Sequence, residues 1–307
     1  MNRFSAAAKP KEINQISPRI DRIFSITLFI VCAFCIFPFL LMLSVSFTDE
    51  VSIRLNGYSL IPKVFSTYAY QYLLTTSKAL LRAYGISIFV TVAGTLLSVM
   101  IVTMFAYPLA RKDFPFRKQF SFFIFFTMIF SGGLVPWYMV YARLLGLKNT
   151  IWIYLIPLLV SAWNVIVMRT FITTSIPESL FEAAKIDGAS EMTIFFQVVL
   201  PLSLPGLATI GLFTAIHFWN DWYTPLVFIT KSDMYNLQYS MYSALRSAQY
   251  IAENVDKMAS SGVTITKVPV ETIRMAMCVV SVGPIIIAYP FVQKYFIKGL
   301  TVGAVKG

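Results

Sequence analysis

The sequence is poor in the groups that aqueous chemistry uses. Asp, Glu, Lys and Arg make up 13% of its 307 residues, about half the share of a soluble domain. With 57% hydrophobic residues and a mean hydropathy of +0.71, a water-soluble fold is excluded. There is one histidine, His217, and there are three cysteines. Apart from Cys32 and Cys35, no His, Cys or carboxylate pair stands at metal-ligand spacing inside an apolar run, which argues against an intramembrane metalloenzyme. His217 is read as a side chain satisfied by a neighbouring helix. Cys32 and Cys35 form a Cys-x-x-Cys that is expected mid-helix and buried, where thiolates are not stabilised, so they and Cys278 are read as packing residues. Ser131-Gly132-Gly133-Leu134 lacks the Gly-Lys-Ser/Thr of a phosphate loop. The chain is therefore expected to be no enzyme, to hydrolyse no ATP itself and to bind no cofactor. Carboxylates near the bilayer midplane, which an ion-coupled transporter would need, are missing from the apolar runs too.

Long charge-free runs are what the sequence has instead: 23–48, 83–110, 119–142, 149–168, 192–220 and 275–293. The shortest has 19 residues, or roughly 28 Å of helix against a hydrocarbon core of about 30 Å. The fold class expected is all-α, a polytopic bundle of six transmembrane helices. Basic residues cluster before the first run (Arg3, Lys9, Lys11, Arg19, Arg22), between the second and third (Arg111, Lys112, Arg117, Lys118) and after the last (Lys294, Lys298, Lys306). All three clusters fall on one side, so the positive-inside rule places both termini in the cytoplasm. The net charge of +11 is thus topological, and no nucleic-acid partner is implied. The expected organisation is a cytoplasmic segment 1–22, a transmembrane domain 23–296 and a cytoplasmic tail 297–307. Outer loops fall at 48–82, 143–148 and 222–273, the last with a helical stretch near Leu237 to Met258. Pro38, Pro136, Pro157, Pro205 and Pro284 lie in or beside the spans, where each removes a backbone hydrogen bond.

The inner loop at 175–201 carries the most information. It reads as helix, glycine turn, helix: Ser175 with Glu178 is expected as a capping box, Pro177 in the first turn, Asp187-Gly188 as the left-handed stop and Ser190 as the next cap. Leu180, Phe181, Ala183 and Ala184 are expected to form one narrow apolar face. Such a helix fits a groove on a partner or lies on the bilayer surface; the residues alone leave both open.

Glu182-Ala183-Ala184, Gly188, Val198 and Leu200-Pro201, at their spacing and on a cytoplasmic loop, resemble the EAA loop of the membrane subunits of binding-protein-dependent ABC importers. Val198 stands where that family usually has Ile. Ala106-Tyr107-Pro108-Leu109-Ala110-Arg111, Trp219-Asn220-Asp221-Trp222 and the tail Gly299 to Gly307 extend the likeness toward the carbohydrate branch. So do Ser131 to Tyr138 and Tyr289 to Phe296. The resemblance implies a permease subunit for a sugar, most of all an oligosaccharide, in the bacterial plasma (inner) membrane. Its implied partners are a second homologous permease, two copies of a cytoplasmic ABC ATPase that holds ATP and magnesium, and an extracellular solute-binding protein. A permease for amino acids or peptides is the alternative, with an ion-coupled transporter behind it. Glu182, Ala183, Ala184, Asp187, Gly188, Leu200 and Pro201 would couple to the ATPase. Gly299, Leu300, Thr301, Gly303 and Lys306 would form a tail that reaches between the two ATPase subunits. Trp219, Asn220, Asp221, Trp222 and Tyr223 combine polar groups with aromatic faces that can stack on sugar rings. They fit an interfacial belt equally well, with Asp221 as a cap or paired to Arg246 or Arg274.

Overall fold

The structure, a computed structural model, describes residues 18–75, 77–253 and 270–304. In chain order the helices are α1 (Pro18–Ser46), α2 (Glu50–Asn56), α3 (Tyr68–Thr75), α4 (Ser77–Ala110), α5 (Arg117–Ile129) and α6 (Leu134–Tyr138). Next come α7 (Trp152–Leu155), α8 (Ala162–Ser175), α9 (Glu178–Ile186), α10 (Glu191–Ile194) and α11 (Leu200–Leu202). The chain continues with α12 (Leu204–Trp219), α13 (Tyr223–Phe228), α14 (Leu237–Glu253) and α15 (Val270–Ala304). Among the described residues the only β pairing is an isolated bridge between Thr48 and Phe65.

Three of the six apolar runs are not the single helices expected. α1 and α4 can each cross a membrane alone, and α15 carries the run 275–293. The other three runs are bent pairs: Arg117–Ile129 with Leu134–Leu144 at 112°, Trp152–Leu158 with Ala162–Ser175 at 52°, and Glu191–Leu202 with Leu204–Trp219 at 79°. Each break has a local cause. Gly133 takes φ +79 four residues after α5 ends at Ile129, and Pro136 follows. Ser161 accepts from the Asn164 amide to start α8 after Pro157. Pro201 and Pro205 stand four apart, so the ring of the second clashes with the carbonyl of the first and no amide can bridge them.

Hydrogen bonds between distant loops sort the chain to two ends. Lys112 Nζ meets Glu178 Oε2 at 2.5 Å and Lys185 Nζ meets Asp113 Oδ2 at 2.5 Å, so the loop after α4 and the α8–α10 loop share one end. At the other end Asn149 Nδ2 donates to Thr230 Oγ1 at 2.9 Å, and the Thr272 amide donates to Glu50 Oε2 at 3.0 Å. The first end holds the basic clusters and is the cytoplasmic one. Because residue 113 and residue 149 fall at opposite ends, the pair bent by 112° is a broken span that still crosses.

α4, α8 and α12 pack as the centre. Toward the cytoplasm their core is Val102, Ala106, Met168, Ile172, Val199 and Ile210; toward the outside it is Val90, Tyr154, Phe218 and Phe228. Asn164 Nδ2 donates to Thr214 Oγ1 at 3.1 Å inside this packing. α1 lies at the periphery and buries none of its apolar window within the chain. Cys32 and Cys35 are accordingly exposed rather than buried as expected, because α1 turns that face away from its own bundle.

Candidate functional site

The inner loop is a short helix set between the ends of three spans. α9 starts after Pro177, whose extended backbone (φ −60, ψ 141) lets its carbonyl accept from the Leu180 amide. The expected Ser175–Glu178 capping box does not form. Ser175 is the last residue of α8, and the Glu178 carboxylate turns to Lys112 instead. At the other end the stop forms as the sequence reading has it. Gly188 has φ +77, its amide donates to the Lys185 carbonyl at 3.0 Å and the Ala189 amide to the Ala184 carbonyl at 3.0 Å. These two bonds are a Schellman motif, which calls for a residue without a Cβ at the left-handed position. Ser190 Oγ then accepts from the Thr193 amide at 3.2 Å and starts α10.

The apolar face expected on α9 is split. Phe181 is 7% exposed and joins the cytoplasmic core with Ala184 packed beside it, so both serve as anchors. Ala183, Glu182, Asp187 and Gly188 are exposed, with Leu180 at 42% and Ile186 at 86%. The helix therefore turns its largest apolar side chain into its own bundle, which a helix lying in the bilayer surface would not do. Ile186 went unnoticed in the sequence because it stands one residue before the polar turn. A Cβ at Gly188 would meet nothing within 4 Å, so the turn itself is open to a partner. Leu200 is half-buried and Pro201 exposed at the 79° break.

Below α9 lies Asp113, a group that no motif pointed to. Arg111 and Lys185 both hydrogen-bond Asp113 and hold its carboxyl well below the usual carboxylate range, while Asp113 in turn raises Lys185. Arg117 Nε donates to the Leu109 carbonyl at 3.0 Å and closes the α4–α5 turn.

At the outer end the five expected pathway residues part company. Trp219 is 6% exposed, and its indole donates to the Ser281 carbonyl at 3.2 Å, which ties α12 to α15. Asp221 Oδ1 accepts from the Thr224 amide at 3.0 Å and caps α13; no ion pair to Arg246 or Arg274 forms, and Arg274 faces Glu271 at 3.4 Å. Burial raises the pKa of the Asp221 carboxyl. Asn220, Trp222 and Tyr223 are exposed. Trp222 stacks on Tyr242 at 4.7 Å, Tyr242 on Tyr239 at 6.2 Å, and Tyr223 on Trp137 at 5.9 Å. Sequence reading missed Tyr239 and Tyr242 of α14, although the two stand three residues apart, at helical spacing. Gly299, Leu300, Thr301 and Gly303 lie on the backbone of α15; Lys306 and residues 254–269 lie outside the described residues.

A family model described as binding-protein-dependent transport system inner membrane component matches residues 86–302. The chain is 37% identical over 273 residues to the polygalacturonan/rhamnogalacturonan transport system permease protein YtcP of Bacillus subtilis (strain 168), covering 89% of this chain and 93% of that one. It is 28% identical over 295 residues to the arabinooligosaccharides transport system permease protein AraQ of Halalkalibacterium halodurans, covering 95% of this chain and 98% of that one. A crystal structure of a bacterial ABC transporter involved in the import of the acidic polysaccharide alginate contains a chain that superposes with a TM-score of 0.77. That chain is 32% identical, and the match covers 92% of this chain and all of that one.

Proposed function

Since the chain belongs to the family of inner membrane components of binding-protein-dependent transport systems, we propose that it imports an oligosaccharide and takes its motion from an ATPase through α9. It is a permease subunit and not an enzyme. It sits in the bacterial inner membrane beside a second permease, a cytoplasmic ATPase that binds the nucleotide and a solute-binding protein.

The observation that carries the coupling role is the two-sidedness of α9. Phe181 is sunk into the bundle while Leu180, Ala183 and Ile186 stand out beside an open glycine turn. A cleft on the ATPase can take that outward face, with Glu182 and Asp187 flanking it and Gly188 allowing the backbone to approach. Leu200 and Pro201 sit where the push passes into α12. The end of α15 is the second contact, through Gly299 to Gly303 and Lys306 beyond.

For the cargo, the names of the relatives (galacturonan and arabino-oligosaccharides) and of the solved structure (alginate) support a carbohydrate. The exposed Trp222 and Tyr223, continued by Tyr242 and Tyr239, support a row of aromatic faces at the outer mouth on which sugar rings stack. Asp221 supports that row by capping α13 rather than by touching sugar.

The test is affinity purification of the tagged chain in mild detergent, wild type beside Gly188→Val, with quantitation of co-purifying ATPase. An ATPase that accompanies wild type and is lost or uncoupled in the variant is the expected result. Stable wild-type protein without any ATPase would overturn the reading.

A further inference from the structure

α9 is held from one side by three side chains, and what they grip is a single short stretch of chain. Glu178, Phe181 and Lys185 stand at i, i+3 and i+7, which puts them on one face of the helix, opposite Ile186 and Ala183. Glu178 pairs with Lys112 at 2.5 Å. Phe181 lies at 4.7 Å from the guanidinium carbon of Arg111. Lys185 pairs with Asp113 at 2.5 Å. The grip is therefore residues 111–113, directly after α4.

The centre of this grip is a closed ring. The Arg111 side chain is only 10% exposed, and its guanidinium gives Asp113 two hydrogen bonds, Nε to Oδ1 at 2.9 Å and Nη2 to Oδ2 at 2.6 Å. Its remaining terminal nitrogen, Nη1, is buried without a hydrogen-bond partner, and the faces of Phe181 and Tyr107 (6.0 Å) lie against the cation instead. Asp113 passes to Lys185, Lys185 stands 3.5 Å from Glu191 at the start of α10, and Glu191 accepts from the Tyr107 hydroxyl on α4. The ring thus joins α4, α9 and α10.

Isolated exposed ion pairs contribute little to stability. A planar, nearly buried guanidinium that is chelated on one edge and stacked on its faces does something else: it fixes an orientation. One anchored side chain, Phe181, would leave a nine-residue helix free to swivel about it. Resting on the coupling reading above, we propose that Arg111 and Asp113 are positioning residues that lock α9 to the cytoplasmic ends of α4 and α10, so that a load on α9 moves all three as one body.

The experiment reads a distance and needs no sugar. Spin labels go on Phe116→Cys and Met192→Cys, which are 57% and 58% exposed, lie outside the ring and the α9 face, and report the α4–α5 loop against α10. Cys32, Cys35 and Cys278 are first replaced by Ser. In the purified complex the wild-type distance stays narrow and unchanged between the nucleotide-free and the ATP- and vanadate-trapped states. In Asp113→Ala the distribution widens roughly twofold, as expected for an element held at fewer points, and ATPase co-purifies at wild-type yield. Asp113→Glu restores the narrow distance, and Lys185→Ala adds little once Asp113 is gone, because both act through one ring. Asp113→Asn gives the same reading if the alanine variant fails to accumulate. An unchanged distribution in these variants, or a wild-type distance that shifts on trapping, overturns the lock. Absence of ATPase from the wild-type preparation is a different result: it defeats the coupling reading, and the nucleotide-free distances still decide the lock.

Discussion

Phe181 and Ile186 are both large and apolar and sit on the same nine-residue helix, yet they face opposite ways. Phe181→Ala leaves a cavity beside Tyr107 in the cytoplasmic core and is expected to cost about 3–5 kcal/mol, measured as a lower unfolding midpoint in detergent. Ile186→Ser removes nothing from that core, so the midpoint stays where it was while the yield of co-purified ATPase falls. If both variants unfold early and keep the ATPase alike, α9 is not two-sided. Of this face the sequence made legible the turn but not the orientation. Gly188 can only be a left-handed stop, whereas Leu180, Phe181, Ala183, Ala184 and Ile186 spread around a short helix, and only the packing of Phe181 under α4 decides which sector is inside. Asp113 was invisible for the same reason, since its partners are 2 and 72 residues away. Its carboxyl pKa is lowered, first by Arg111 and then by Lys185. The contribution of a group shifted in that direction is fully present above the ordinary carboxylate pKa and is lost only as pH falls through the lower folded value. The label distance of the preceding section is therefore expected to hold constant from pH 8 to about pH 5; broadening within that window would show that Asp113 is not held as the geometry has it.

Between elements, the close approaches are made at glycines. A Cβ on Gly94 of α4 would stand 2.6 Å from the Phe218 ring of α12, and one on Gly206 would stand 2.8 Å from the Phe171 ring of α8. Phe218 is 1% exposed and packed on all sides, while Phe171 is only half-buried and can swing. Gly94→Ala should thus cost about 1–3 kcal/mol and Gly206→Ala less, which thermal unfolding of the two variants in the same detergent will rank. The reverse order would mean that the α4–α12 contact is looser than its geometry. At this scale the sequence made the number of runs legible and not their direction. Counting charge-free residues senses apolarity, and a run bent by 79° is as apolar as a straight one. The cues were present in Gly133 and in Pro201 with Pro205, but a proline in a span kinks it by an amount that the neighbouring helices set.

For the whole molecule the sorting of loops to two ends decides where force can enter. α15 begins at the outer end, beside Glu50, and runs for 35 residues. Its charge-free stretch 275–293 takes up roughly 28 Å of the bilayer, and the rest, 294–304, extends roughly 16 Å beyond the cytoplasmic face at 1.5 Å per residue. That end and the exposed face of α9 project on the same side, so an ATPase seated on α9 is within reach of a second contact. Removing residues 300–307 takes away the projecting end without touching the apolar stretch, the α9 turn or the ring beneath it. The truncated chain should insert and accumulate normally, and the ATPase should still co-purify, because α9 remains. Its hydrolysis rate in the purified complex should fall by about fivefold, the lower end of what coupling between two sites produces. Loss of the ATPase altogether would make the tail the principal attachment and α9 the lesser one. An unchanged rate would leave α9 as the sole route by which closure of the ATPase reaches the helices.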